Sequence, residues 1–302
     1  MHRRVVGLTV AVAVSAMAVF AAVALSSKKP PEHGYVSSAM RVPTTNTEAR
    51  ALGRDFNHDG EGDNRLGQFF AALASQGIDL QGALSTNVAD GDLLMLHSLR
   101  TPSLSNAKHA TWQVLYAEPT ESPDFSGSGS FTVAGDPHSA KFPAKVKKRH
   151  VTTAAGTIPV QLTAGSGLFT LELTSAKVYA TCSKTGCTGG RINGVVTTQQ
   201  LNTTLIPKLA EQFTVIVARD CPGPGPSCSS GSYGQQLQSL FDTNDDLTIS
   251  AEELRTSPLA QAVLAPDLDL RKANGKPGQD GKPDALSAGI GFEAVSGRLV
   301  RH

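Results

Sequence analysis

Oxygen-bearing side chains recur at every second place in FDTNDDLTISAEEL, Phe241–Leu254. Counted from Asp242, the stretch sets Asp242, Asn244 and Asp246 at positions 1, 3 and 5. The Thr248 carbonyl falls at 7, Ser250 at 9 (as a hydroxyl or through a water) and Glu253 at 12. Oxygens at these places, the last a carboxylate able to bind through both atoms, make the flexible shell of six to eight hard ligands that Ca²⁺ takes. Ile249 at position 8 has the apolar type of the short strand that pairs such loops. The runs on either side, SYGQQLQSLF and SAEELRTS, have helical character, with Leu237, Leu240 and Phe241 on one face. Ser250 and Glu253 also have the Ser-x-x-Glu spacing of a capping box, so they can open a helix whether or not an ion is bound.

In these positions the stretch resembles an EF-hand calcium loop. One residue departs from the pattern. Position 6 is normally Gly, because the chain turns there with positive φ, and here it is Leu247. That conformation costs a side-chain-bearing L-residue about 1–2 kcal/mol, so the departure weakens the site or reshapes the turn without removing a ligand.

Two further stretches follow a shorter form of the pattern, Asp-x-Asp-x-Asp-Gly-x-x-Asp, similar to calcium-binding repeats such as dockerins and thrombospondin type 3 repeats. In DFNHDGEGDN, Asp55, Asn57 and Asp59 take positions 1, 3 and 5, Gly60 takes 6, the Glu61 carbonyl 7 and Asp63 position 9. Leu66 falls at 12 and cannot ligate. In DLDLRKANGKPGQDGKPDALS the pattern emerges once Arg271–Gln279 is set aside as an insertion. Asp267, Asp269 and Asp280 then stand at 1, 3 and 5, Gly281 at 6, the Lys282 carbonyl at 7 and Asp284 at 9, with Ser287 at 12. Loops beginning at Asp242 and Asp267 are expected to form a compact pair, burying Leu254, Leu259, Val263 and Leu264 between them. The loop at Asp55 is expected to stand alone on the first helical region or to dock on that pair.

Motifs for catalysis are missing. Gly-x-Ser-x-Gly, His-Glu-x-x-His, a P-loop and a dinucleotide-binding glycine fingerprint do not occur, and the eight histidines are scattered. No catalytic residue is assigned and the chain is read as a non-enzyme, although a Ser/His/Asp site can assemble from distant segments. With 27 basic residues against 26 acidic there is no global field toward nucleic acid. The one dense basic run, KFPAKVKKRH (Lys141–His150), suits either contact with anionic lipid, polysaccharide or another acidic surface, or a strand edge kept soluble by lysine. With only four methionines there is no Met-rich sensor groove, which makes a structural role for calcium the leading expectation. The alternatives are a calcium-dependent adhesion or envelope-assembly module that binds a protein or glycan, and a secreted hydrolase with structural calcium.

These residues must be held by elements that the rest of the chain supplies. Its 302 residues suffice for one large domain or two modest ones. MHRR followed by an uncharged run from Val5 to Ser27 reads as a signal peptide cut after Ala24. At ~20 residues the run is also long enough to remain as a membrane anchor. Either way the chain belongs outside the cytoplasm, secreted, periplasmic or in a bacterial cell envelope, touching membrane only through that segment. Cys182/Cys187 and Cys221/Cys228, two close pairs, agree with export as two local disulfides.

Beyond residue 25 the expected division is a polar linker over 26–48, a helical segment over 49–108, a β domain over 109–220 and a calcium-binding region over 221–302. In the helical segment Leu66, Phe69, Phe70 and Leu73 recur at helix spacing. Short Val-, Thr- and aromatic-rich runs, with Phe169, Leu171 and Leu173 alternating against Thr170, Glu172 and Thr174, mark the β domain. A helix is expected over Thr198–Gln212, limited by Pro207, and TVIVARD reads as strand or as helix. The fold class is α+β: a central antiparallel β-sandwich or curved sheet, flanked by an N-terminal helical segment and a C-terminal EF-hand-like helical pair.

Overall fold

Two periodicities sort the chain into layers. Where apolar residues alternate, as in Lys141–Lys147, every second side chain is buried; where they recur at three and four, as in Arg65–Ser75, one helix face is buried. The structure is a computed structural model and describes residues 29–135, 141–163, 167–223, 227–270 and 278–302. The N-terminal run read as signal peptide or anchor lies outside these residues, as do 271–277 of the loop insertion.

The first half of the chain runs β1 (Glu32–Arg41), α1 (Asn46–Leu52), α2 (Arg65–Ser75), α3 (Leu80–Asp90), β2 (Met95–Arg100), β3 (Asn106–Tyr116), β4 (Ser130–Thr132) and β5 (Lys141–Lys147). Next come β6 (His150–Thr153), β7 (Gly156–Thr163), β8 (Leu168–Cys182), β9 (Gly186–Thr197), α4 (Thr198–Gln200), a π turn (Leu201–Leu205) and α5 (Ile206–Asp220). The last part holds α6 (Tyr233–Phe241), α7 (Ala251–Thr256), α8 (Pro258–Val263), β10 (Ala285–Ser296) and β11 (Arg298–Val300).

Among the described residues nine strands form one sheet in the order β6-β5-β3-β2-β1-β10-β9-β8-β7, each pair antiparallel. The sheet curls until β6 also meets β8, through His150↔Thr181 and Thr152↔Tyr179. Eight strands thus close on themselves, and β7 stays outside the ring as a terminal strand on β8. The long β8 makes this possible: its first half pairs with β7 and its second half with β6.

The interior is packed. Trp112 from β3, His97 from β2 and Phe292 from β10 meet there, the His97 ring stacked on Phe292 at 4.3 Å and 5.2 Å from Trp112. This core continues into the helices: Leu66, Phe69 and Leu73 of α2 belong to it, as does the stacked pair Phe213 and Phe241 of α5 and α6. A second cluster around Val36, Leu96, Leu115 and Phe131 covers the outer face of β1–β3 beneath the parallel pair β4 and β11. Disulfides join Cys182 to Cys187, across the β8–β9 hairpin, and Cys221 to Cys228. Both are compatible with a place outside the cytoplasm. Among the described residues no helix is long and apolar enough to cross a membrane.

The α+β class and the curved antiparallel sheet agree with the sequence reading, and three boundaries do not. Residues 26–48 are no linker. They hold β1, a central strand between β2 and β10. Its Gly34, Ser37 and Ser38 hide it among polar segments, yet Ser37 is buried and its hydroxyl meets His97. The 49–108 segment is not helical throughout, since β2 and the start of β3 lie within it. The 221–302 region contributes β10, also central, whose Ala288, Gly289 and Gly291 lack the bulky β-branched signature. Strands from every expected region therefore share one sheet. TVIVARD continues α5 as helix, and Pro207 opens that helix in its first turn rather than limiting it.

Candidate metal centre

Each acidic loop is fixed by bonds from its own backbone. In the loop between α6 and α7, both Asp242 oxygens accept backbone N–H groups, Oδ1 from Asp246 at 3.2 Å and Oδ2 from Leu247 at 2.9 Å. Asn244 Oδ1 also accepts from Asp246 N at 3.1 Å, and Asp246 Oδ1 from Thr248 N at 2.7 Å. Asp245 and Leu247, positions 4 and 6, have φ of 57° and 65°. The chain therefore makes the left-handed turn at position 6 without a glycine. Leu247 is half-buried and its side chain packs on the core, so contact with the core offsets part of the backbone cost.

The loop between α1 and α2 has the same trace. His58 and Gly60, again positions 4 and 6, have φ of 66° and 90°. Asp55 Oδ2 accepts from Gly60 N at 3.1 Å, Asn57 Oδ1 from Asp59 N at 3.0 Å and Asp59 Oδ1 from Glu61 N at 2.8 Å. The two loops differ in what closes them. Asp63, at position 9, takes the Phe56 N–H at 2.7 Å, whereas Glu253, at position 12, takes the Thr243 N–H at 3.0 Å.

Glu253 has a second task. Its Oε2 accepts from Ser250 N at 2.9 Å while Ser250 Oγ accepts from Glu253 N at 3.1 Å, the reciprocal capping box that opens α7. Burial alone would raise this carboxyl, but the hydrogen bonds from Ser250 and Thr243 outweigh it and bring its pKa down to about 2.

The third loop corrects the expected register. Asp269, not Asp267, stands where Asp55 and Asp242 stand, because its Oδ2 accepts from Gly281 N at 2.6 Å and from Asp280 N at 3.0 Å. Asp280 Oδ1 then accepts from Lys282 N at 3.2 Å, and Asp284 Oδ1 closes the loop on Leu270 N at 3.1 Å, as Asp63 does on Phe56. Gly281 has φ of 85°. Counted from Asp269, the inserted residues replace positions 3 and 4. Asp267 points elsewhere: Ser287 donates to it through N at 2.7 Å and through Oγ at 2.6 Å.

Asp267 therefore belongs with the first loop. It lines one cleft of about 360 Å³ with Asn57, Asp59, Asp63, Arg50 and Arg65. Burial pushes its carboxyl up, against the hydrogen bonds from Ser287; Arg65 draws it back and Asp63 adds to the rise. Arg65 N donates to Ser287 Oγ at 2.8 Å, so the start of α2, β10 and Asp267 are joined by one chain of bonds. The expected pairing of the second and third loops thus gives way to contact between the first and third. The Asp242 loop docks on α5 instead, since Thr214 Oγ1 accepts from Ile249 N at 2.9 Å and donates to Ile249 O at 3.2 Å. Those two bonds occupy the backbone that would have paired Ile249 with another loop. Leu254 and Leu264 are buried as expected, and Leu259 and Val263 are half-buried, packed against the core.

Sequence reading missed Asn64. This residue follows Asp63, caps α2 and is 1 % exposed. Its Oδ1 accepts from Gly67 N and Gly289 N, both at 2.9 Å, and its Nδ2 donates to Ala49 O at 3.1 Å and Gly289 O at 3.0 Å. An Asn directly before an amphipathic run is an N-cap signal, and that signal was available.

Two further facts bear on chemistry. Among the described residues no group of three or more His, Cys, Asp or Glu side chains converges as a ready-made metal cage. A carboxylate has about four lone-pair sites, so bonds to backbone N–H groups leave capacity for an ion. Ser37 Oγ and His97 Nε2 lie 3.0 Å apart, as a nucleophile and its base would. Both are fully buried, and His97 Nδ1 has no hydrogen-bond partner among the described residues, so no carboxylate orients the ring. No family model, curated protein or solved structure matches the chain.

Proposed function

We propose that this is an exported calcium-binding protein of the EF-hand-like class, in which the ions brace loops around the closed sheet. The observation that carries the reading is repetition. Loops at Asp55 and Asp242, remote in sequence, share left-handed residues at positions 4 and 6 and the same three bonds from carboxylate or amide oxygens to backbone N–H groups. The donor set fits a hard cation, since every side-chain ligand offers oxygen. Asp242, Asn244, Asp246, the Thr248 carbonyl, Ser250 and Glu253 would hold one ion between α6 and α7. Asp55, Asn57, Asp59, the Glu61 carbonyl and Asp63 would hold another, with Asp267 beside them. Asp269, Asp280, the Lys282 carbonyl and Asp284 would hold a third.

Calcium supplies a hard positive charge and, when bound, offsets repulsion among the carboxylates. The chain's own residues do the rest. Backbone N–H groups aim the carboxylates, Thr214 ties one loop to α5, and Ser287 and Arg65 tie Asp267 to β10. A structural role follows from this rigidity, because each loop is anchored to a buried element rather than to a hinged one.

Calorimetric titration of the full chain with Ca²⁺ after EGTA treatment tests the reading. Binding with dissociation constants of about 10⁻⁴–10⁻³ M is expected, the range of extracellular modules. At roughly tenfold excess over such a constant, each site adds about 1.4 kcal/mol of stability, visible as a higher melting temperature. Glu253→Gln should remove one site from the titration while the amide still accepts the Ser250 N–H and keeps α7 capped. Absence of both binding heat and any calcium-dependent melting shift ends the proposal.

A further inference from the structure

The near-balance of total charge conceals a strongly basic stretch. Between Asp136 and Glu211 the sequence carries nine Lys or Arg residues and one carboxylate, Glu172. Of the nine, Lys208 pairs with Glu211 at 2.7 Å, and the remaining eight make no ion pair among the described residues. Strand pairing gathers many of these eight on the convex outside of the closed sheet. Lys147 stands opposite His150, and His150 opposite Thr181; two residues along, Lys145 stands opposite Thr152, Thr152 opposite Tyr179 and Tyr179 opposite Arg191. The Arg191 guanidinium lies over the Tyr179 ring at 4.9 Å, which adds a cation and covers an aromatic face.

The tip of this face is held in an unusual conformation. Lys148 and Arg149 form the two-residue turn between β5 and β6, with φ of 50° and 69°. Asn-Gly makes such a turn with little strain, and two long cationic side chains do not. Asn106 Oδ1 accepts the Lys148 N–H and Ser105 O accepts the Arg149 N–H, both at 3.0 Å, so the turn is fixed from β3. The result is a row of cations ending in a rigid cationic tip.

We propose that this face is a docking surface for anionic lipid. Charge complementarity alone would also admit a soluble polyanion, and the place of Lys29, which follows an apolar run in the sequence, favours lipid. Residues 5–27 are an uncharged, apolar run. Lys29 and Pro30, the first described residues after it, share a cleft with His109, Thr111 and Lys141 on β3 and β5, at the border of the same outer surface. The described chain thus begins, directly after its most apolar sequence, at the border of the basic face. With the Tyr179 ring covered by Arg191, this face offers no open tyrosine platform on which bases could stack.

Vesicle sedimentation of the full chain tests this, with calcium chelated so that no ion bridges lipid to the acidic loops. Phosphatidylcholine vesicles are compared with vesicles containing about one third phosphatidylglycerol, so that the apolar run contributes equally to both and charge is the difference. Each lysine near an anionic surface contributes about fivefold in affinity, so removing three should reduce the phosphatidylglycerol preference by on the order of 100-fold at low salt. The variant is Lys145→Gln/Lys147→Gln/Lys148→Gln, and Lys145→Arg/Lys147→Arg/Lys148→Arg should keep the preference. The proposal is overturned if the wild-type chain shows no preference, or if the Gln variant retains it. Tighter binding to soluble dextran sulfate than to the anionic vesicles, at the same salt, overturns it in favour of a polysaccharide.

Discussion

Asn64→Ala lowers the free energy of unfolding by about 3–5 kcal/mol, the largest loss expected from any single truncation in the acidic loops. The side chain uses its full hydrogen-bonding capacity, two acceptances and two donations, while 1 % exposed. Truncation leaves a buried N–H and C=O of Gly289, the Ala49 carbonyl and the first turn of α2 without their partner. An N-cap alone is worth about 1 kcal/mol, and each orphaned buried group costs about 1–3 kcal/mol more, reduced where water can enter. Asp79 provides the comparison. It caps α3 through Gly82 N at 2.7 Å but is exposed and holds no distant strand, so Asp79→Ala should cost only about 1 kcal/mol. Urea midpoints of the two variants decide the matter, and equal losses would reduce Asn64 to an ordinary cap. Asn64→Asp separates shape from donation: it keeps the acceptor to Gly67 and loses both donations, so it should be nearly as damaging as Ala.

Asn64 also marks where sequence reading stops. The tight acidic turns were legible because their oxygen-bearing side chains stand at alternate positions within a dozen residues. The capping box at Ser250 and Glu253, the buried face of α2 and the alternation in β8 were legible for the same reason: each repeats within one element. What Asn64 reaches is Gly289, 225 residues away, and nothing near position 64 states that. Closure of the sheet is likewise non-local, since it depends on β8 being long enough to serve two partners. Two central strands were concealed by composition. β1 carries Ser37 toward the interior, and β10 carries glycines where bulky residues were sought. In the third loop the insertion made two aspartates equivalent on paper. Only the backbone bonds from Asp280 and Gly281 select Asp269 and release Asp267 to the first loop.

Acid should destabilise the protein from near pH 6.5 downward, well above the range in which carboxylates titrate, and His97 is the reason. Full burial disfavours the imidazolium and brings the His97 pKa down to about 3, whereas the unfolded chain titrates it near 6.5. Between these values the unfolded state binds the proton and the folded state does not. Stability therefore falls with falling pH, by about 1.4 kcal/mol per unit, or on the order of 3 kcal/mol by pH 4. Glu253 adds to the loss only below about 4.5, where its lowered carboxyl begins to favour the unfolded state's protonation. Asp267, pushed up by burial, works in the opposite sense and recovers some stability as it protonates. The variant that isolates the histidine is Ser37→Ala/His97→Phe. It replaces both partners of the 3.0 Å bond with apolar groups and keeps a ring to stack on Phe292. Removing a buried polar pair together leaves no orphan, so the double variant should lie within about 1–2 kcal/mol of the wild type at pH 7. At pH 4 the order reverses and the variant is the more stable chain. Melting temperatures at pH 7, 5.5 and 4 measure this, and parallel curves for the two proteins would show that the acid sensitivity arises elsewhere.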